Sequence, residues 1–177
     1  MYSKYVSGFN LPKDKRVKDL SRGMKMKLML AVAMSHEAKL LLLDEPTSGL
    51  DPVARDELLD ILSEYISDGE KTILFSTHIT TDLEKIADYI TLIDNGSIFY
   101  TGTKDNLLDS FHIIKGGPND MTDQLRGKII GLAQNKTGFS GLIPVSETKH
   151  LSKEIITETP SIDEILVYIS KGERSHE

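Results

Sequence analysis

Apolar and polar positions recur along this chain with more than one period, and each period predicts a different element. In "DLSRGMKMKLMLAVAMSHEAK", residues 19–39, methionines, leucines and alanines cover most of the circumference of a helical repeat. That predicts a helix buried on several sides, with Ser21 as its N-cap. Residues 40–43 are four consecutive leucines, a run whose shortness and apolarity predict a central parallel strand covered on both faces. Pro46, which has no backbone N–H to give to a ladder, stops it. Asp51 and Pro52 then have the form of an N-cap followed by a first-turn proline, and Leu58, Ile61, Leu62, Tyr65 and Ile66 recur at helical spacing until Asp68-Gly69. "TILFS", residues 72–76, is β-branched and aromatic and predicts a second strand, while Thr81 and Glu84 stand at capping-box spacing ahead of another helix.

Two strand-loop-helix units in succession predict an α/β fold on a parallel sheet flanked by helices. In "YITLIDNGSIFYTG", Asn95-Gly96 separates two β-rich runs, a strong hairpin signal. Beyond residue 116 the pattern weakens. "KGGPND" has the composition of a linker, "KIIGLA" and "GFSGLIPV" predict short strands, and "SIDEILVYIS" predicts a helix with Ser161 and Glu164 at capping-box spacing. The expected organisation is a main domain over residues 1–116 and a small α+β accessory region over 117–177, packed on the main sheet. The sequence contains no internal repeat and no low-complexity tract.

Composition narrows the function classes. The 177 residues are 39% hydrophobic and 27% charged, as in an ordinary globular domain with a small appendage. The longest purely apolar run is the seven residues 28–34, far below the ~20 residues of a membrane span, so no direct membrane insertion is expected. "MYSKYVSGFN" lacks the apolar core and small-residue cleavage site of a secretory signal. No cysteine is present, which excludes disulfides and thiolate metal sites and fits the cytoplasm. The net charge of -6 hides a basic segment: residues 1–30 hold eight Lys and Arg against Asp14 and Asp19, an excess of six positive charges. Such a run is either a solvated face or a site for phosphates or an anionic partner. The acidic remainder argues against general nucleic-acid binding.

Candidate chemistry gathers at strand ends. In an open parallel sheet the carboxyl ends of the strands face the ligand crevice, which places Asp44 and Glu45 at a site. Neighbouring strand residues project to opposite sides, so one carboxylate can hold a hard cation while the other orients water. Thr77-His78 follows the second predicted strand and brings an imidazole to the same edge. His112, His150 and His176 are scattered without convincing metal spacing, and solvated or packing roles are expected of them.

Leu20-Ser21-Arg22-Gly23-Met24, Leu40-Leu41-Leu42-Leu43-Asp44-Glu45-Pro46, Ser48-Gly49-Leu50-Asp51 and Ser76-Thr77-His78 occur in this order and at this spacing. Together they closely resemble the second half of the ATPase subunit of an ATP-binding-cassette (ABC) transporter, firmly over residues 11–111 and loosely thereafter. The "LSRGMKMKL" and "ETPSIDEILVYI" segments are most similar to bacterial exporters of the bacitracin-resistance type. The resemblance implies a partial P-loop-NTPase-like fold, ATP and Mg²⁺ as cofactors, Asp44 as the Walker B carboxylate holding Mg²⁺ through water, and Glu45 as the base that orients the attacking water. It further implies that His78 contacts the γ-phosphate, that Asp51 is the D-loop carboxylate coupling two subunits, and that Ser21, Arg22 and Gly23 lie in the signature that caps ATP held by the opposite subunit. A serine hydroxyl with backbone N–H groups at a helix N-terminus makes an anion site.

Two departures from the family pattern stand out. Arg22 and Met24 replace the third and fifth residues of the usual Leu-Ser-Gly-Gly-Gln. Arg22 is either neutral or an added phosphate contact, and Met24 is expected to pack. No G-x-x-x-x-G-K-[ST] stretch occurs in the 177 residues, so the lysine and backbone nest that cradle the β- and γ-phosphates are not among them. The chain is therefore expected to be the back half of such a subunit. The resemblance implies as partners a transmembrane permease and a second ATPase subunit, with a cytoplasmic location peripheral to the membrane. Two other readings stay open: a non-catalytic module lending its signature to an intact partner, and an ABC-type ATPase working on DNA or the ribosome.

Overall fold

The computed structural model describes residues 2–173, which fall into two units, Met1–Ile86 and Ala87–Glu177. In the first unit a short helix, α1 (Tyr2–Gly8), precedes an extended basic stretch in which residues 13–19 are exposed. Val6 of α1 packs with Leu11 and Ala31, a contact local patterning does not announce. Ser21 opens α2 (Arg22–Met34) by accepting a hydrogen bond from Met24 N at 3.2 Å, as an N-cap should. Leu30, Ala31 and Met34 are buried, whereas Met29 and Val32 are 63% and 46% exposed. The helix thus buries one broad stripe and is not covered on several sides. Met24 packs against the Val6–Leu11–Ala31 cluster.

The leucine run forms β1 (Leu40–Asp44), and the chain returns through α3 (Pro52–Ile66) to β2 (Thr72–Ser76). The two strands pair in parallel, Leu40 opposite Thr72 through Asp44 opposite Ser76. Asp51 caps α3 by accepting from Val53 N at 3.1 Å and Ala54 N at 3.0 Å, and Pro52 occupies the first turn where its missing N–H costs nothing. Leu30, Met34, Leu41, Leu58, Leu62 and Tyr65 make one core, so α2 and α3 cover the Leu41 face of the sheet. The opposite face is bare among the described residues: Leu40, Leu42 and Leu74 are 53%, 68% and 65% exposed. The strand predicted to be covered on both faces is covered on one, because both packing helices lie on the same side of a two-stranded sheet. The unit ends with α4 (Thr80–Ile86), which starts one residue before the predicted cap. Thr81 lies inside the helix, and its hydroxyl accepts from Arg55 Nη2.

The second unit starts with β3 (Tyr89–Asp94) and β4 (Ser97–Thr103), antiparallel strands joined at Asn95-Gly96. Both turn residues have positive φ, 43° and 76°, as a two-residue primed turn requires. Next come α5 (Lys104–Asp109), β5 (Phe111–Gly116), α6 (Asp123–Arg126), β6 (Ile130–Gln134), β7 (Phe139–Pro144), β8 (Ile156–Glu158) and α7 (Ile162–Glu173). The last four strands form an antiparallel sheet in the order β6-β7-β5-β8. "KGGPND" is consequently not a free linker: Lys115 and Gly116 finish β5, and Asp120 Oδ2 folds the next turn back by accepting from Gly117 N at 2.7 Å. Ser161 and Glu164 form the expected reciprocal cap of α7, with Glu164 N to Ser161 Oγ at 3.2 Å and Ser161 N to Glu164 Oε2 at 2.9 Å. Gly131, at φ 64°, lets β6 approach α7 so closely that a Cβ there would sit 2.0 Å from Tyr168 O. His112 is half-buried with its Nδ1 unpartnered, and His176 lies outside the described residues.

Candidate functional site

The parallel register sets Asp44 beside Ser76, so the carboxyl ends of β1 and β2 finish level. Ser76 Oγ donates to Asp44 Oδ1 at 2.5 Å. Glu45 N donates to Ser76 Oγ and to Ser76 O, each at 3.1 Å, which locks the two strand ends together. Glu45 itself has φ 46°, a left-handed conformation that a non-glycine residue adopts at a cost and that concentrates at functional sites. His78, two residues past β2, brings Nδ1 to 2.9 Å from Glu45 Oε2, and its ring is 70% exposed. Glu45 Oε2 is buried and accepts no hydrogen bond among the described residues, although His78 Nδ1 approaches it directly. Asp44, Glu45 and His78 stand together at the level ends of β1 and β2.

A second group surrounds the N-terminus of α2. Ser21 Oγ accepts from Met24 N, and its own hydroxyl hydrogen stays available to donate outward. Gly23 sits against α3, where a Cβ would lie 3.2 Å from Ala54 Cβ. The Arg22 guanidinium lies over Gly49, whose φ of 69° favours glycine, and a Cβ there would sit 2.5 Å from Arg22 Nη1 and displace the guanidinium. Arg22 and Gly23 are thereby fitted to the turn and cap around Asp51, and Lys27 Nζ to Glu57 Oε2 at 2.5 Å ties α2 to α3 one turn further on.

A third cluster escaped the sequence reading. Asp82, fully buried, accepts from Thr47 Oγ1 and Arg55 Nε, each at 2.5 Å, and Thr47 is fully buried as well. The available signal was positional: Asp82 is three residues after Ile79 and four before Ile86, so it stands on the apolar face of its helix.

The residues fit Mg²⁺ with ATP in part. Mg²⁺ keeps several waters and takes one or two carboxylates plus phosphate oxygens, and Asp44 at the end of β1 is one such carboxylate. Among the described residues no group of three or more acidic or histidine side chains is placed to hold a metal ion by itself. The α2 N-terminus with Ser21, Arg22 and Lys25 fits an anion.

Parallel strand ends thus carry an Asp-Glu pair and a histidine, and α2 opens on the Ser21 cap. The curated homologues of the chain are ATP-binding proteins of ABC transporters. The chain is 36% identical over 129 residues to a Nod factor export ATP-binding protein I of Cupriavidus pinatubonensis, covering 71% of this chain and 39% of that one. It is 40% identical over 93 residues to the bacitracin transport ATP-binding protein BcrA of Enterococcus faecalis, covering 52% of this chain and 30% of that one. Among solved structures it resembles cbiO1 of Clostridium perfringens, part of the ABC transporter complex cbiONQ, with a TM-score of 0.53 and 28% identity over 60% of this chain and 43% of that one. Residues 9–81 also match a family model described as an AAA domain, putative AbiEii toxin, Type IV TA system. The chain thus spans less than half the length of these relatives. No helix among the described residues is long and apolar enough to cross a membrane.

Proposed function

We propose that this chain supplies the Walker B, D-loop, switch-histidine and signature portion of a Mg²⁺-ATP site that energises an ABC-type exporter. The observation that carries the reading is the approach of His78 Nδ1 to Glu45 Oε2 at the level ends of the two parallel strands. Bound Mg²⁺-ATP supplies the phosphoryl group and most of the charge to be neutralised, and such transfers ask the protein mainly for positioning. Asp44, fixed by Ser76, would hold the metal. Glu45 would accept a proton from, and aim, the attacking water, while His78 stands against Glu45 Oε2 and would meet the γ-phosphate. Ser21, Arg22 and Gly23 face ATP held by a second ATPase subunit, and Asp51 transmits contact between the two subunits. A permease is the membrane partner, and the protein sits on the cytoplasmic face of the membrane through it.

The test places the chain behind the Walker A-bearing portion of a relative and compares Glu45 with Glu45→Gln. The expected result is retained ATP binding with turnover lowered about 10²- to 10⁴-fold, the usual worth of a positioned general base. Unchanged turnover in Glu45→Gln would remove Glu45 from this role.

A further inference from the structure

Three chain segments meet at Asp82. The turn after β1 enters through Thr47, whose hydroxyl donates to Asp82 Oδ2 at 2.5 Å. That turn is tight and includes Glu45 itself: Ser48 N donates to Glu45 O at 3.1 Å, and Leu50 N to Thr47 O at 3.2 Å. The first turn of α3 enters through Arg55, whose Nε donates to Asp82 Oδ1 at 2.5 Å, whose Nη2 donates to Thr81 Oγ1, and whose backbone N donates to Asp51 O at 3.0 Å. The third segment is α4 itself, which begins two residues after His78, and Asp82 N donates to Ile79 O at 3.1 Å.

A fully buried carboxylate is costly unless it is paired and hydrogen-bonded. Here both oxygens are occupied, one by a cation and one by a hydroxyl. A buried, fully satisfied polar cluster is a device for specifying one geometry. Of the segments it joins, one bears Glu45 and another follows His78, the two groups that approach to 2.9 Å. We propose that Asp82, acting with Arg55 and Thr47, is a positioning residue that holds the Glu45 turn and the His78 turn at that separation. This rests on the reading of Glu45 and His78 as the hydrolytic pair. The chemistry assigns no contact between Asp82 and nucleotide.

The test is NMR spectroscopy of the nucleotide-free chain, following the backbone amide of Glu45 and the ring signals of His78. Thr47→Val removes only the hydroxyl donor, Thr47→Ser keeps it, and Lys85→Ala breaks the pairs from α4 to Asp56 and Asp60 of α3 without removing a member of the cluster. The expected result is that Thr47→Val moves both sets of signals, Thr47→Ser returns them to their wild-type positions, and Lys85→Ala leaves them alone. A folded Thr47→Val with unmoved signals overturns the proposal. Failure of both Thr47→Val and Arg55→Lys to fold also overturns it, because the cluster would then hold the whole unit and not the site. The measurement needs no nucleotide, so its outcome is separate from that of the turnover experiment on Glu45.

Discussion

Tyr65 closes the core of the first unit with its ring and donates its hydroxyl to Ala38 O at 2.6 Å, just ahead of β1. Burial pushes its pKa above the ordinary 10.0, with Tyr5, Asp68 and Glu37 adding to the rise and Lys71 opposing it. A raised acid pKa means that the folded state binds the proton more tightly than the unfolded one. Its contribution is therefore fully present below about pH 10 and is lost as pH climbs through the folded value. Tyr65→Phe is expected to cost about 1 kcal/mol at neutral pH from the lost hydrogen bond and to flatten the alkaline decline of stability in urea titrations from pH 8 upward. An equally steep decline in Tyr65→Phe would assign it to other groups, among them Lys71, Lys85 and Lys115, whose raised pKa values come from pairing with carboxylates at the surface. Single residues differ in how openly the chain announces them. Asp44, Glu45 and His78 are legible because strand ends in a parallel sheet share an edge, so spacing along the chain becomes proximity in space. Arg22 over Gly49 and Thr47 on Asp82 are not, since each joins residues more than twenty-five positions apart through side-chain geometry that no local pattern encodes.

At the scale of elements, the strands diverge most from what their composition suggests. Four leucines in a row are the mark of a strand with cover on both faces, yet Leu40, Leu42 and Leu74 face solvent. A contiguous apolar sheet face of this kind drives association. The chain is expected to self-associate and to enhance ANS fluorescence, and the double variant Leu42→Thr with Leu74→Thr, which puts β-branched strand formers in place of the leucines, is expected to lower both. Monodisperse behaviour of the unmodified chain at about 100 μM, within the range where exposed apolar surface normally causes aggregation, would show that the face is not adhesive. The Asn95-Gly96 hairpin and the α7 cap were readable because their signals lie within a few residues of each other. The pairing of β5 with β7 and β8 was not, because register between strands separated by a helix and other strands is set by the packing of the whole sheet. The same limit hid α1, whose one buried side chain finds its partners in the following loop and in α2.

For the whole molecule, the decisive quantity is how strongly nucleotide stabilises it. Ligand that binds only the folded state adds RT ln(1 + [L]/Kd), about 0.4 kcal/mol when its concentration equals Kd and about 2.7 kcal/mol at a hundredfold excess. The described site offers the Asp44 carboxylate fixed by Ser76, the Glu45 carboxylate against His78 and the exposed imidazole itself. The 177 residues contain no glycine-rich loop with a lysine to hold the β- and γ-phosphates. A phosphate chain bound by that set alone keeps most of its charge in water, where each contact is weak. Millimolar Mg²⁺-ATP is accordingly expected to stabilise this chain by no more than about 0.5 kcal/mol, a shift near the detection limit of a thermal melt. Under the proposed function the complementary demand falls on Ser21, Arg22 and the α2 N-terminus, which would meet an anion presented by another chain. Adding an intact ATP-binding relative should therefore raise the nucleotide-dependent stabilisation well above that of either protein alone, and Ser21→Glu, which puts a negative charge at the helix N-terminus, should cancel the increase. Stabilisation of several kcal/mol by Mg²⁺-ATP without any partner would mean that these residues already hold a complete nucleotide site.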